Sequence, residues 1–274
     1  MTKTVLITGC SSGFGKATAL TFAREGWNVV ATMRDPTKAG ELALHPNIFV
    51  TRLDVQEQDS IAQGVGAGIG RFGAIDVLVN NAGFGLFGVF EATPSDKLRE
   101  QFEVNVFGAM EVTRALLPHF RSRRAGLVVN ISSGAGVFTL PLLAPYCASK
   151  FALEGFSEAL SHELAPLGIA VKIVEPGGVL DTNFGARSGA EAARTPTPAD
   201  YDGVAEATAR LYARLSAQAT STQDDVARVI FQAATDGSDQ LRYVATEDIQ
   251  PLVRARRETS EAAYLHFLRA RIAG

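Results

Sequence analysis

Apolar residues gather in seven short runs along the chain: "TVLITG", "NVVATM", "IFVTRLDV", "AIDVLVNNAG", "GLVVNISS", "IAVKIVEPG" and "RYVATE". Each is rich in β-branched residues and apolar at odd and even positions alike, as a strand is when both of its faces are covered. Between them apolar positions recur at helical spacing, as over Lys16 to Glu25, Gln101 to Phe120 and Tyr146 to Leu164. Strands alternating with helices predict an α/β fold, a doubly wound seven-stranded parallel sheet with helices on both faces. No repeat or Pro-rich linker divides the chain, so residues 1–274 are expected to form one domain. The one change of composition is residues 184–223, rich in Ala, Gly, Ser and Thr. It reads as a linker or a mobile lid, and the lid is favoured because the core pattern resumes afterwards in "DDVARVIFQAA" and "LRYVAT".

Charge narrows the partners. A net charge of -3, with basic clusters only at "RSRR" and "RARR", gives no electrostatic reason to expect nucleic acid or an anionic membrane. No apolar run approaches the roughly 20 residues of a membrane span, and "VLITG" is too short for a signal segment. Two cysteines, Cys10 and Cys147, give neither a disulfide framework nor a metal-binding spacing, and the four histidines are scattered, so no metal site is expected. These features suit a cytoplasmic protein.

The first turn carries chemistry. In "LITGCSSGFGKATALTFAREG", Gly9, Gly13 and Gly15 stand between the first strand and first helix. Glycines there let the backbone approach a pyrophosphate, whose charge is favoured by free N–H groups and the positive end of the helix dipole. In this kind of fold the end of the second strand lies beside the adenosine ribose; the chain has Met33 there, followed by Arg34. A guanidinium suits a 2′-phosphate, which points to NADP(H). Asp35, one residue on, would instead present a carboxylate after a slight change of register, so NAD(H) stays open.

"PYCASKFALEGF" sets Tyr146 four residues ahead of Lys150, and with Pro145 at a helix start the two share one face. A general acid–base group works best with a pKa close to the operating pH, and an ammonium one turn away favours the phenolate. Bringing a phenol from about 10 to neutrality takes about 2 to 3 units, roughly 3 to 4 kcal/mol. A tyrosine stacked on a lysine stem is the ordinary meaning of such a pair. Here "GLVVNISSG" ends a strand in Ser132 and Ser133, at the sheet edge where ligands bind.

With "TGCSSGFG", "LDV", "NNAG", "EVNVFG", "VNISS", "YCASK" and "EPGG" in that order over residues 1–182, the chain resembles the short-chain dehydrogenase/reductase family, a Rossmann-type fold. "YCASKFALEGFSEAL" and "ATMRDP" are similar to its hydroxysteroid and retinol dehydrogenase branch. The resemblance implies Tyr146 as acid–base, Lys150 lowering its pKa and binding the nicotinamide ribose, Asn105 holding a water of the proton relay, and Ser133, thirteen residues before the tyrosine, as the catalytic serine, with Ser132 its structural neighbour. It also implies cofactor contacts from Gly9, Ser11, Ser12, Gly13, Phe14 and Gly15, from Arg34, from Asp54 and Val55 at the adenine, from Asn81, Ala82 and Gly83, and from Pro176, Gly177, Val179 and Thr182 at the nicotinamide amide. Many NADP-preferring relatives have a basic residue where Ser12 stands, so the NADP(H) expectation rests mainly on Arg34. Homodimers or homotetramers paired through the helices at 101–120 and 146–164 are the implied assembly.

The expected reaction interconverts a carbonyl and a secondary alcohol by hydride transfer. Apolar "GAGVFTLPLLAP", "FGLFGVF" and Phe184 would border the substrate and suit a hydrophobic steroid-, retinoid- or aryl-like compound. Two other readings share the fold: a nucleotide-binding sensor without turnover, and an epimerase or dehydratase, for which the chain lacks an extra C-terminal substrate domain.

Overall fold

Strand β1 (Thr4–Ile7) is buried throughout, and its side chains divide between the two faces of the sheet: Val5 and Ile7 join one apolar cluster, Leu6 the other. That two-sided burial is what the unbroken apolar runs require. The computed structural model describes residues 2–179 and 196–273. The other strands are β2 (Asn28–Met33), β3 (Ile48–Arg52), β4 (Val77–Asn80), β5 (Gly126–Ile131), β6 (Ile169–Glu175) and β7 (Arg242–Val244). All pair in parallel in the order β3-β2-β1-β4-β5-β6-β7. The order reverses between β1 and β4, which opens a crevice above their carboxyl ends.

On one face lie helices α1 (Gly13–Arg24) and α7 (Gln223–Thr235); on the other α2 (Gln58–Phe72), α4 (Gly108–Arg123) and α5 (Ala144–Leu164). The expected helix over 101–120 is interrupted. A short α3 (Ser95–Phe102) runs into a wider π turn, Glu103–Phe107, before α4 begins, and this turn carries Asn105.

Part of the segment expected as a lid is regular structure. Residues 202–218 form α6 (Asp202–Gln218), whose Leu211 is buried and whose Tyr212 meets Phe87 edge to face at 5.3 Å. After β7 the chain adds α8 (Gln250–Glu258) and α9 (Glu261–Ala273), which build a third apolar cluster, Ile249, Leu252, Tyr264 and Leu268, against Phe138. A chain of ions ties this end down. Arg242 of β7 reaches Glu154 of α5 at 2.9 Å, and Arg257 of α8 holds the fully buried Glu175 of β6 through both carboxylate oxygens. No helix among the described residues is long and apolar enough to cross a membrane.

The only tryptophan sits at the opposite end of the sheet from the crevice. Trp27 precedes β2, and with Phe22 of α1 and Phe231 of α7 it forms an edge-to-face trio with centroids 5.0 to 6.3 Å apart. Phe22 is fully buried between the other two. Phe22→Ala is therefore expected to destabilise the fold by about 3–5 kcal/mol, read as a lower urea midpoint in Trp27 fluorescence; a loss under 1 kcal/mol would show that α1 and α7 do not depend on this contact.

Candidate functional site

The carboxyl ends of β1, β2, β4, β5 and β6 open into one cavity of about 710 Å³. Its polar end is built on the first turn. Gly9, Ser11, Ser12, Gly13 and Phe14 line it, while Gly15 lies underneath, where a Cβ would stand 2.4 Å from both Gly9 O and Asn81 Nδ2. Only glycine lets α1 start this close to the turn, and Gly9 itself has φ +74°. Asn81 fastens the same turn: its Nδ2 donates to Thr8 O at 2.8 Å and to Gly9 O at 3.2 Å. Ser12, at the start of α1, makes no side-chain bond to the helix, and the first turn holds no acid. The free N–H groups and the dipole are thus directed to the cavity.

Arg34 lines the cavity and is exposed; Asp35 does not line it. The Asp35 carboxylate is turned into the following 3-10 helix, where it accepts from Thr37 N at 3.1 Å and from Thr37 Oγ1 at 2.6 Å. Those bonds hold its carboxyl below the usual range. Of the two side chains, the guanidinium is the one at the cavity. Asp54, Val55, Asn81, Ala82, Gly83, Pro176, Gly177 and Val179 line the same cavity. Thr182 and Phe184 lie outside the described residues.

Farther in stand Ser133, Tyr146 and Lys150. Ser133 leaves β5 and starts a tight turn, its Oγ accepting from Ala135 N at 3.1 Å. Tyr146 comes from the first turn of α5, with Pro145 at the helix start, and its phenol shares a hydrogen bond with Ser133. Lys150, one turn on, sends Nζ to Ile131 O at 2.8 Å and lies 5.8 Å from the centre of the Tyr146 ring. Tyr146 and Lys150 are 7% and 6% exposed, and that decides their ionisation. Burial pushes the phenol up to about 12, partly offset by the Ser133 bond. It pulls Lys150 down to about 8, with Glu154 acting the other way. The ammonium one turn away favours the phenolate, and burial of the phenol works against it.

Asn105 does not line the cavity. From the π turn its Nδ2 donates to Phe84 O at 2.8 Å and to Ser149 Oγ at 3.1 Å, and Oδ1 accepts from Phe84 N at 3.0 Å; Ser149 Oγ in turn donates to Tyr146 O at 2.8 Å. Ser132 faces Glu154. Cys147 is buried, which raises its thiol pKa, as expected of a packed residue.

Most of the remaining wall is apolar. Phe84, Phe87, Phe138, Leu140 and Leu143 come from the runs singled out in the sequence, whereas Phe90 is 62% exposed and belongs elsewhere. Tyr212 and Leu215 of α6, and Asp248, Ile249 and Leu252 beyond β7, were not foreseen. The one available signal was the apolar spacing Leu211, Leu215 in an otherwise Ala-rich stretch.

The sequence model of the short chain dehydrogenase family matches residues 3–193. An uncharacterized oxidoreductase of Schizosaccharomyces pombe is 39% identical over 235 residues, 85% of this chain and 96% of that protein. Retinol dehydrogenase 8 of Bos taurus is 42% identical over 187 residues, 65% of this chain and 59% of that one. A short chain dehydrogenase/reductase from Burkholderia phymatum, solved in complex with NAD, superposes with a TM-score of 0.80 at 27% identity, covering 94% and 93% of the two chains. With the glycine turn, the parallel sheet and the Ser–Tyr–Lys cluster in one cavity, these likenesses place the chain in the short-chain dehydrogenase/reductase family, as an NAD(P)-dependent oxidoreductase.

Proposed function

We propose that this oxidoreductase interconverts a carbonyl and a secondary alcohol on a hydrophobic substrate, with NADP(H) preferred. The observation that carries the reading is the position of Ser133, Tyr146 and Lys150 between the polar and the apolar parts of one cavity. The polar part fits a dinucleotide: the uncapped start of α1 meets the pyrophosphate, Arg34 the 2′-phosphate, Asp54 and Val55 the adenine, and Pro176, Gly177 and Val179 the nicotinamide end, with Thr182 assigned there by resemblance. A bound nicotinamide supplies or accepts the hydride.

The chain's own residues govern the oxygen. Ser133 Oγ and the Tyr146 hydroxyl, already bonded to each other, would both reach a substrate carbonyl and polarise it. A phenol at about 12 is protonated at neutral pH, the form that gives a proton to the nascent alkoxide in the reductive direction. Lys150 would hold the ribose hydroxyls beside Tyr146. Asn105 is assigned as a positioning residue, through Ser149 to the Tyr146 backbone. The aromatic and aliphatic wall excludes water and selects an apolar substrate, and α6 would act as a partial lid. A homodimer or homotetramer is the proposed assembly; Phe107 and Phe151, 49% and 38% exposed on the α4 and α5 side, are the apolar contacts available for it.

Tyr146→Phe is expected to lower NADPH-dependent ketone reduction at least 1000-fold with nucleotide affinity within threefold of wild type, measured by steady-state rates and titration; turnover within tenfold of wild type would remove its proton-transfer role. Arg34→Ala should weaken NADPH by at least tenfold and NADH by less than threefold, and equal losses would show that Arg34 does not read the phosphate. The pH profile follows from burial. Lys150 is lowered to about 8, so it is charged below pH 7 and loses its charge as pH rises through 8; reduction should be flat from pH 6 to 7 and fall above about 8, with Tyr146 still protonated. A profile flat to pH 10 would separate the lysine charge from the reaction.

A further inference from the structure

The turn that begins at Ser133 lies directly on α5 between Lys150 and Glu154. A Cβ on Gly136 would stand 2.7 Å from Ser132 Oγ, 3.0 Å from Glu154 Cγ and 3.2 Å from Lys150 O. Lys150 and Glu154, four residues apart, share the inner face of the helix, and each is 6% exposed. Lys150 Nζ donates to Ile131 O at 2.8 Å. That bond fixes the place of Nζ more than its charge, since a carbonyl accepts from an amine as well as from an ammonium.

Glu154 is fixed from the other side. Arg242 Nε of β7 donates to Glu154 Oε2 at 2.9 Å. The same guanidinium reaches Glu158, one turn farther along α5, and comes within 3.7 Å of Glu175 of β6, which Arg257 of α8 binds. Ser132 faces the Glu154 carboxylate from the end of β5. Of the groups around Lys150, Tyr146 and Ser133 are neutral at working pH, and Glu154 is the one whose charge acts on the ammonium. Burial works against that ammonium and Glu154 works for it. Between two side chains so little exposed, the attraction is screened far less than on a surface.

We propose that Glu154 is a positioning residue of the reaction: its carboxylate, fixed by Arg242, keeps the Lys150 ammonium charged beside Tyr146. The inference rests on Lys150 acting in the reaction as proposed above. Glu154 does not line the main cavity; it borders a separate recess with Arg242, Arg256 and Arg257, so it acts only through Lys150. The ammonium is the form present below its midpoint. Removing the negative charge beside it therefore lowers that midpoint and brings the alkaline fall of reduction to lower pH. A carboxylate that merely anchored β7 to α5 would leave the titration of Lys150 where it is.

The test follows the Cε resonance of Lys150 by NMR from pH 6 to 10 in the full chain labelled with 13C-lysine, the signal being assigned by its loss in Lys150→Arg. NADPH-dependent ketone reduction is measured over the same range. Glu154→Gln, which keeps an acceptor for Arg242 and removes the charge, is expected to lower the Lys150 midpoint by about half a unit or more and to shift the alkaline limb with it, about threefold in rate on the falling side. Glu158→Gln, which also takes a carboxylate from Arg242, should leave both midpoints in place. Glu154→Met, of similar length, gives the same reading should the glutamine variant fail to fold. An unchanged Lys150 midpoint in the Glu154 variants overturns the proposal whether or not turnover is found. A lowered midpoint with an unmoved reduction limb overturns it as well, because the reaction would then not depend on the charge that Glu154 maintains. Wild type that reduces no ketone would instead fail the function proposed above, while the resonance still reports whether Glu154 holds the charge.

Discussion

Because every strand pairs in parallel, all seven carboxyl ends stand at one edge of the sheet, and each loop that leaves a strand there is brought within reach of the others. The helices that return the chain to the opposite edge can only cover the faces. This constraint separates the labour of the molecule. Val5, Ile7 and Leu6 on two faces carry packing, while the loops that follow the strands, together with Tyr146 and Lys150 at the start of α5, carry most of what is polar in the cavity. The reversal of order between β1 and β4 keeps those loops apart enough to leave space between them.

Ionisation at the centre of the cavity is a contest between burial and hydrogen bonding. Tyr146 and Lys150 are nearly inaccessible, and for both the desolvation of the charged form is the largest influence. For Lys150 the sign is plain: its folded pKa, about 8 against an ordinary 10.5, means that the unfolded chain holds the proton more tightly between those values. Stability therefore rises with pH across that window, and below pH 8 the buried ammonium costs the fold about 3 kcal/mol. Glu154, one turn farther along α5 and held by Arg242, opposes this cost. Glu154 thus serves both Arg242 and Lys150.

The framework was readable because its signals are local. Two-sided apolar runs, a Gly-rich first turn and the Tyr146–Lys150 spacing do not depend on anything distant, and the seven strands lie where the runs predicted. What was hidden depends on how far segments fold back. Nothing in "VATEDIQP" marks Asp248 as a neighbour of Gly177 and Gly178, seventy residues earlier. The use of Asp35 as a cap was invisible too, since its carboxylate had two plausible directions and only the 3-10 turn chose between them. The burial of Tyr146 was equally hidden: spacing along a helix reports its neighbours, and burial is a property of the whole fold.

The wide turn at Glu103–Phe107 has a consequence for the length of the chain. One extra residue in a helix advances everything after it by about 100°. Upstream of the turn, Gln101 points inwards and bonds Leu86 N at 2.9 Å; downstream, Val112, Leu116 and Phe120 are fully buried against the sheet. The two stretches meet different partners, the loop at Phe84 to Leu86 for Gln101 and Asn105 and the sheet for the α4 stripe, and the wide turn lies between them. Removing one residue there would turn one of the two sets by about 100° relative to its partners. The number of residues between Gln101 and Val112 is therefore fixed by two contacts at once, whatever freedom individual positions retain.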